Sequence, residues 1–176
     1  QKPVRTWFDG SPLGHEWMYL RNPIAENYEF TKKGIRMHGT MVNLDSWTAP
    51  PTGLFRRQQH IQFTSGTCLE LENSKPGDEA GLTLYREFHS HYDLFIRQES
   101  NKQQAVVLRY QLGELKHIEK VIPVPSGKVK LQISGEADNY LFSYAIGDDQ
   151  WIEIDKMNTK YLSTETVGGF TGMVIG

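Results

Sequence analysis

The chain has 176 residues, enough to bury one substantial core and short for two, so a single domain over residues 1–176 is expected. Nineteen Lys and Arg against 21 Asp and Glu leave a formal charge of −2 with no basic stripe, which removes support for electrostatic capture of nucleic acid or of an anionic membrane. Sixteen glycines, 8 prolines and 11% aromatic residues suit many short strands joined by tight turns.

The opening residues Gln1-Lys2-Pro3-Val4-Arg5 lack the apolar stretch of a signal peptide, and a start at Gln leads us to expect a processed chain or a domain cut from something larger. Strand-like stretches then follow in order: Tyr28 to Phe30, Ile35 to His38, His60 to Phe63, Leu69 to Leu71, Gly81 to Tyr85, and Tyr92 to Ile96. Ala105 to Gln111, Ile118 to Ile122, Lys128 to Ser134 and Tyr140 to Tyr144 complete the set. In the clearest of them Val129, Leu131 and Ile133 share one face while Lys128, Lys130 and Gln132 share the other, the period of a half-buried strand. Turn residues separate the runs at Lys33-Gly34, Lys75-Pro76-Gly77-Asp78, Leu112-Gly113-Glu114, Pro125-Ser126-Gly127, Ala137-Asp138-Asn139 and Gly147-Asp148-Asp149.

No window sustains a helical period between two caps, so the expected fold is all-β, with two antiparallel sheets packed face to face as a sandwich. The longest irregular segment, Asn43 to Leu54, holds Trp47, Pro50 and Pro51, and a loop of that length in a compact sandwich points to function or to a partner. The single cysteine, Cys68, cannot form an internal disulfide and says little about the compartment. No apolar run reaches the length of a membrane span.

Five short segments stand in a particular order: Phe8-Asp9-Gly10, Trp17-Met18-Tyr19-Leu20-Arg21-Asn22-Pro23, Arg56-Arg57-Gln58, Glu79-Ala80-Gly81-Leu82 and Gly168-Gly169-Phe170-Thr171-Gly172. From Trp7 to Gly176 the chain resembles the concanavalin A-like C-terminal domain of glycoside hydrolase family 43 β-xylosidases and arabinofuranosidases, a domain also classed among carbohydrate-binding modules. The resemblance implies a jelly-roll-like sandwich that is not itself catalytic. Its partner would be an N-terminal five-bladed propeller of the same protein, carrying the catalytic carboxylates. The sandwich would pack on that propeller and help close a pocket for xylo- or arabino-oligosaccharide. Bacterial polysaccharide degradation of this kind points to a periplasmic or secreted protein. The family pattern continues past the Gly-Phe-Thr-Gly segment with another strand, so one sheet edge is expected to be incomplete at Gly176.

Within that frame the candidate sugar-contacting residues are Phe170, Arg56, Arg57, Trp47 and Tyr85. Phe170 sits among glycines and is either presented on a turn toward the catalytic pocket or is a core anchor of the final strand. Arg56 and Arg57 should point to opposite faces by strand alternation, with Gln58 on the side of Arg56. A guanidinium can bind sugar hydroxyls or hold a loop by its carbonyls, and Arg21 is expected to do the second. Trp47 could stack on a sugar or on a neighbouring domain, Tyr85 could offer its hydroxyl from a concave face, and Trp17 belongs with a core. His89 and His91 lack a third ligand for a transition metal, no cofactor is required, and a structural calcium at Asp9 competes with a plain Asp-Gly turn. No nucleophile elbow or phosphate loop is present. The rival readings are an independent xylan-binding module and an autonomous glycosidase or lyase on the same sandwich.

Overall fold

The structure, a computed structural model, describes residues 6–100, 102–169 and 172–176. Where the sequence reads as one domain, the residues group into two compact units, Gln1–Arg56 and Arg57–Gly176.

The first unit is mostly loop. A 3-10 turn at Ala25–Asn27 leads into a hairpin of β1 (Tyr28–Thr31) and β2 (Gly34–Met37), closed in register from Tyr28 opposite Met37 to Thr31 opposite Gly34. The turn is held by Thr31, whose hydroxyl accepts from the Lys33 amide at 3.1 Å and donates to the Gly34 carbonyl at 2.9 Å. Across the same unit Met18 and Phe55 form an isolated antiparallel bridge. The Tyr28 hydroxyl accepts from the Gly53 amide at 2.9 Å and donates to its carbonyl at 3.2 Å, which ties the long loop back to the hairpin.

The second unit holds the long strands: β4 (Phe63–Leu69), β5 (Glu79–Glu87), β6 (Ser90–Ser100), β7 (Gln103–Leu112), β8 (Leu115–Pro125), β9 (Val129–Gly135), β10 (Asn139–Ile146) and β11 (Ile152–Asn158). Two short strands complete the set, β3 (Arg56–Arg57) where the units divide and β12 (Val174–Ile175) at the end. They form a four-stranded sheet in the order β11-β10-β9-β4 and a six-stranded sheet in the order β3-β12-β5-β6-β7-β8. The expected all-β fold of antiparallel sheets is what the chain adopts, with, among the described residues, only a four-residue helix, α1 (Thr164–Val167), and two 3-10 turns beside it.

Alternation explains the core. On β9 every second residue is buried, and Val129, Leu131 and Ile133 join Tyr140, Phe142 and Tyr144 of β10 against Leu82, Leu84, Tyr92, Leu94, Ile96, Val106 and Leu108 of the other sheet. Each such side chain contributes about 1.5–3 kcal/mol relative to exposure, which makes this interlayer the main stabilising feature. The Tyr92 hydroxyl reaches out of the layer to the Asn158 carbonyl at 2.9 Å, so its one polar atom is satisfied.

Two details differ from the strand reading. The stretches expected over His60–Phe63 and Leu69–Leu71 give way to a single strand, β4, which takes only Phe63 from the first and Leu69 from the second and runs through Thr64-Ser65-Gly66-Thr67-Cys68 between them. Those residues read as a break because they are polar and small. They extend because β9 offers them a ladder from Phe63 opposite Gly135 to Leu69 opposite Val129. The short final strand β12 is likewise made by its partner, with Val174 opposite Tyr85 and Ile175 opposite Leu84.

Candidate functional site

Strand β5 sends Leu82 and Leu84 into the core and Thr83 and Tyr85 to the opposite face, until a register shift between Tyr85 and Glu87 interrupts the alternation at Arg86. Arg86 is buried, 6% exposed, and its Nη2 donates to the carbonyls of Gly168 at 2.7 Å and Gly169 at 3.4 Å and to the Thr164 hydroxyl at 3.4 Å. Helix α1 ends there, the Gly168 amide donating back to the Thr164 carbonyl at 2.8 Å. Gly168 and Gly169 have φ of 78° and 75°, a left-handed pair that glycine alone adopts without cost. The chain returns to β5 through β12, and Gly176 exchanges backbone bonds with Thr83 at 2.7 and 3.2 Å. The segment carrying Phe170 is thus tethered to β5 on both sides, by Arg86 before it and by β12 after it. Phe170 itself, with Thr171, lies outside the described residues. Arg86 escaped sequence reading because an arginine after a run of apolar and aromatic strand residues looks like the exposed end of a strand.

Tyr85 is buried at 7% exposure, its ring stacked on His91 at 5.8 Å and 20°. Directly across the strands stand Tyr85, His91 and Gln111 in one row and Thr83, Asp93 and Arg109 in the next. The Asp93 carboxylate is at their centre. It accepts from the Thr83 hydroxyl at 2.9 Å, His91 Nδ1 at 2.8 Å and Arg109 Nε at 3.1 Å, and Arg109 continues to Glu79 at 3.0 Å. Burial pushes the Asp93 carboxyl upward, but the hydrogen bond and charge of His91, the charge of Arg109 and the Thr83 hydroxyl outweigh it and hold it below the usual carboxylate range. An ionised acceptor at Nδ1 assigns the hydrogen there to His91, which leaves Nε2 and the facing Gln111 Oε1 buried without a partner among the described residues.

In the first unit, Arg56 lies over the Trp17 ring at 5.3 Å, and Phe8 packs on the same ring at 5.2 Å. Arg57 is exposed, so the two arginines part as strand alternation requires. Gln58 donates from its side chain to the His60 carbonyl at 2.9 Å. Trp47 is 71% exposed on the long loop. That loop is gripped by Arg21, in the left-handed conformation at φ 64°, whose Nε donates to the Trp47 carbonyl at 3.0 Å and whose Nη1 donates to the Ala49 carbonyl at 3.4 Å. The loop-fixing role expected of Arg21 is the one it performs.

Asp9 is a turn residue, its Oδ1 accepting from the Ser11 amide at 3.0 Å ahead of Gly10 at φ 92°. The bonds from Ser11 hold its carboxyl below the usual range. His89 precedes β6 and sits 4.0 Å from Glu114, while His91, within β6, is committed to Asp93. Among the described residues no three of His, Cys, Asp and Glu come together as a metal site.

The family model for the β-xylosidase C-terminal concanavalin A-like domain matches residues 5–176. The non-reducing end α-L-arabinofuranosidase BoGH43B of Bacteroides ovatus is 32% identical over the whole of this chain, which corresponds to 33% of that protein. Among solved structures, the Bacteroides ovatus xyloglucan PUL GH43B superimposes with a TM-score of 0.86 at 28% identity, over 99% of this chain and 35% of that one. A GH43_12 protein from a capybara gut metagenome does so with a TM-score of 0.86 at 27% identity, over 96% and 33%. The chain therefore spans about a third of the length of the relatives it matches.

Proposed function

The chain belongs to the β-xylosidase C-terminal concanavalin A-like domain family, and from that premise we propose that it is the accessory sandwich of a xylan- or arabinoxylan-degrading glycoside hydrolase, packing on a catalytic propeller and helping close its sugar pocket. The relatives are glycoside hydrolases, and this chain corresponds to one third of them. That proportion is the observation that carries the reading, since it leaves two thirds of each relative for a catalytic domain.

The tethering of the Phe170 segment supports a specific role. Arg86 holds the Gly168 and Gly169 carbonyls ahead of Phe170, and β12 pairs with β5 after it. In this reading Phe170 contributes a ring to the pocket rim, where it stacks on the C–H face of a sugar and excludes water. Arg56, Arg57 and Trp47 remain candidates for contact with the substrate or the propeller. A periplasmic or secreted location completes the proposal.

The test uses the complete enzyme and the 176-residue chain side by side. Phe170→Ala in the complete enzyme is expected to lower kcat/KM on an aryl xyloside or arabinofuranoside about five- to tenfold, a loss on the order of 1 kcal/mol, with an unchanged melting midpoint. The 176-residue chain is expected to turn over neither substrate. A large drop in the midpoint would make Phe170 a core anchor. Turnover by the chain that a carboxylate substitution abolishes would move catalysis into the sandwich.

A further inference from the structure

The core-facing row of β6 runs Tyr92, Leu94, Ile96, that of β7 runs Leu108, Val106, and the next position in each is a glutamine. Gln98 and Gln104 stand directly opposite one another at the end of the sandwich, 6% and 2% exposed, where alternation calls for another apolar pair. Their amide hydrogens are spent on the backbone. Gln98 donates to the carbonyls of Ser100 and Gln103, and Gln104 to those of Pro125 at 2.7 Å and Gly127 at 3.0 Å. Ser74 donates to Gln98 Oε1 at 2.9 Å. Gln104 Oε1 takes no part in these bonds.

These two glutamines floor an open cavity of about 320 Å³, walled by Glu70, Asn73, Ser74 and Ser126. The volume falls at the lower end of the roughly 300–1,000 Å³ typical of small-molecule sites. The lining contains no Lys or Arg, so an anion would find no counter-charge, and it contains one carboxylate, where a divalent cation seeks several hard ligands. It also contains no aromatic ring, so binding by stacking is excluded. Carboxylate, amides and hydroxyls converging on a cavity of this size match a ligand that is uncharged and rich in hydroxyls.

We propose that this cleft binds one multiply hydroxylated unit, a monosaccharide residue or the end of an oligosaccharide, through the Glu70 carboxylate, Gln104 Oε1, the Asn73 amide and the Ser126 hydroxyl. Gln104 holds the β8–β9 connection that forms one wall and Gln98 accepts from Ser74 on another, so the walls are positioned before the ligand arrives. This site does not depend on the role given to Phe170 or on a catalytic partner, because every residue named belongs to the second unit.

Asn73 makes the site testable without endangering the fold. Its φ of 52° is one that glycine adopts more readily, so Asn73→Gly removes the amide while easing the backbone. The ¹⁵N-labelled 176-residue chain is titrated with D-xylose and with L-arabinose, following backbone amides. Saturable shifts at residues 70–74 and 126–127 are expected, with binding weakened about tenfold by Asn73→Gly or Glu70→Gln, the cost of one lost polar contact. Absence of saturable shifts with either sugar would overturn the proposal. So would shifts confined to the 43–54 loop, which would place binding at Trp47, or equal affinity in wild type and both variants.

Discussion

On the central strands of the six-stranded sheet both faces are buried, and they differ in chemistry. The face toward β9 and β10 is apolar, with Leu84, Leu94, Ile96, Val106 and Leu108 at 0% exposure. The other face carries Thr83, His91 and Asp93 at 4%, 2% and 2%, beside Phe95 and Val107. Seven consecutive residues from Ser90 to Ile96 are buried, so this part of β6 has no wet side. The first face is held by non-directional burial, which tolerates any apolar side chain of the right volume. The second is held by directed bonds around one carboxylate, where every partner is needed because an unpaired buried charge is costly.

Truncation on the apolar face should give the largest effect. Phe142→Ala, at a fully buried position of β10, is expected to cost about 3–5 kcal/mol, with the same penalty at neutral and mildly acid pH because no proton is involved. Denaturant unfolding at several pH values checks both parts of that statement.

Asp93→Asn breaks the polar face instead, and about 3 kcal/mol is expected at neutral pH, since Arg109 and His91 lose their shared counter-charge. Its sign with pH follows from the lowered folded-state pKa. A depressed carboxyl stabilises the fold above its unfolded value of about 3.9, and that contribution is lost as pH falls through the folded value. Wild type should therefore lose stability below about pH 4 while the Asn variant does not lose this part, and the two curves should converge. A gap that stays constant from pH 7 to pH 3 would erase the distinction between the faces.

Arg86→Lys probes a guanidinium on β5 that holds backbone carbonyls in place of a carboxylate. It keeps the charge but loses the planar Nη2, the single nitrogen that donates to the Gly168 and Gly169 carbonyls and to Thr164, so about 2 kcal/mol is expected. Hydrogen exchange should quicken first at the Gly168 amide, which closes α1. Slow exchange there in the variant would mean that β12 alone anchors the segment.

Much of the sandwich was legible in period-two runs. Val129, Leu131 and Ile133 face the core as their alternation requires, and the six turn segments all fall between or beside strands. β11 was missed although Ile152-Glu153-Ile154-Asp155 alternates, because the run is short and follows close on the Gly147-Asp148-Asp149 turn; it pairs with β10 from Tyr144 to Asn139. For the candidate sites, the parting of Arg56 and Arg57 was legible from alternation, while the burial of Tyr85 was not, because a tyrosine fits a wet or a dry face equally well.

What the sequence determined by itself is local: which side chains share a face, where the chain must turn, and the family to which the ordered motifs belong. Only the tertiary structure decided that the second face of the long sheet is buried, that β4 lies beside β9, and that Arg86 reaches across 82 positions to Gly168. The reason is physical. Alternation follows from the pleat of a single strand, whereas burial and pairing are sums over residues far apart in the chain, and no window of sequence contains both partners.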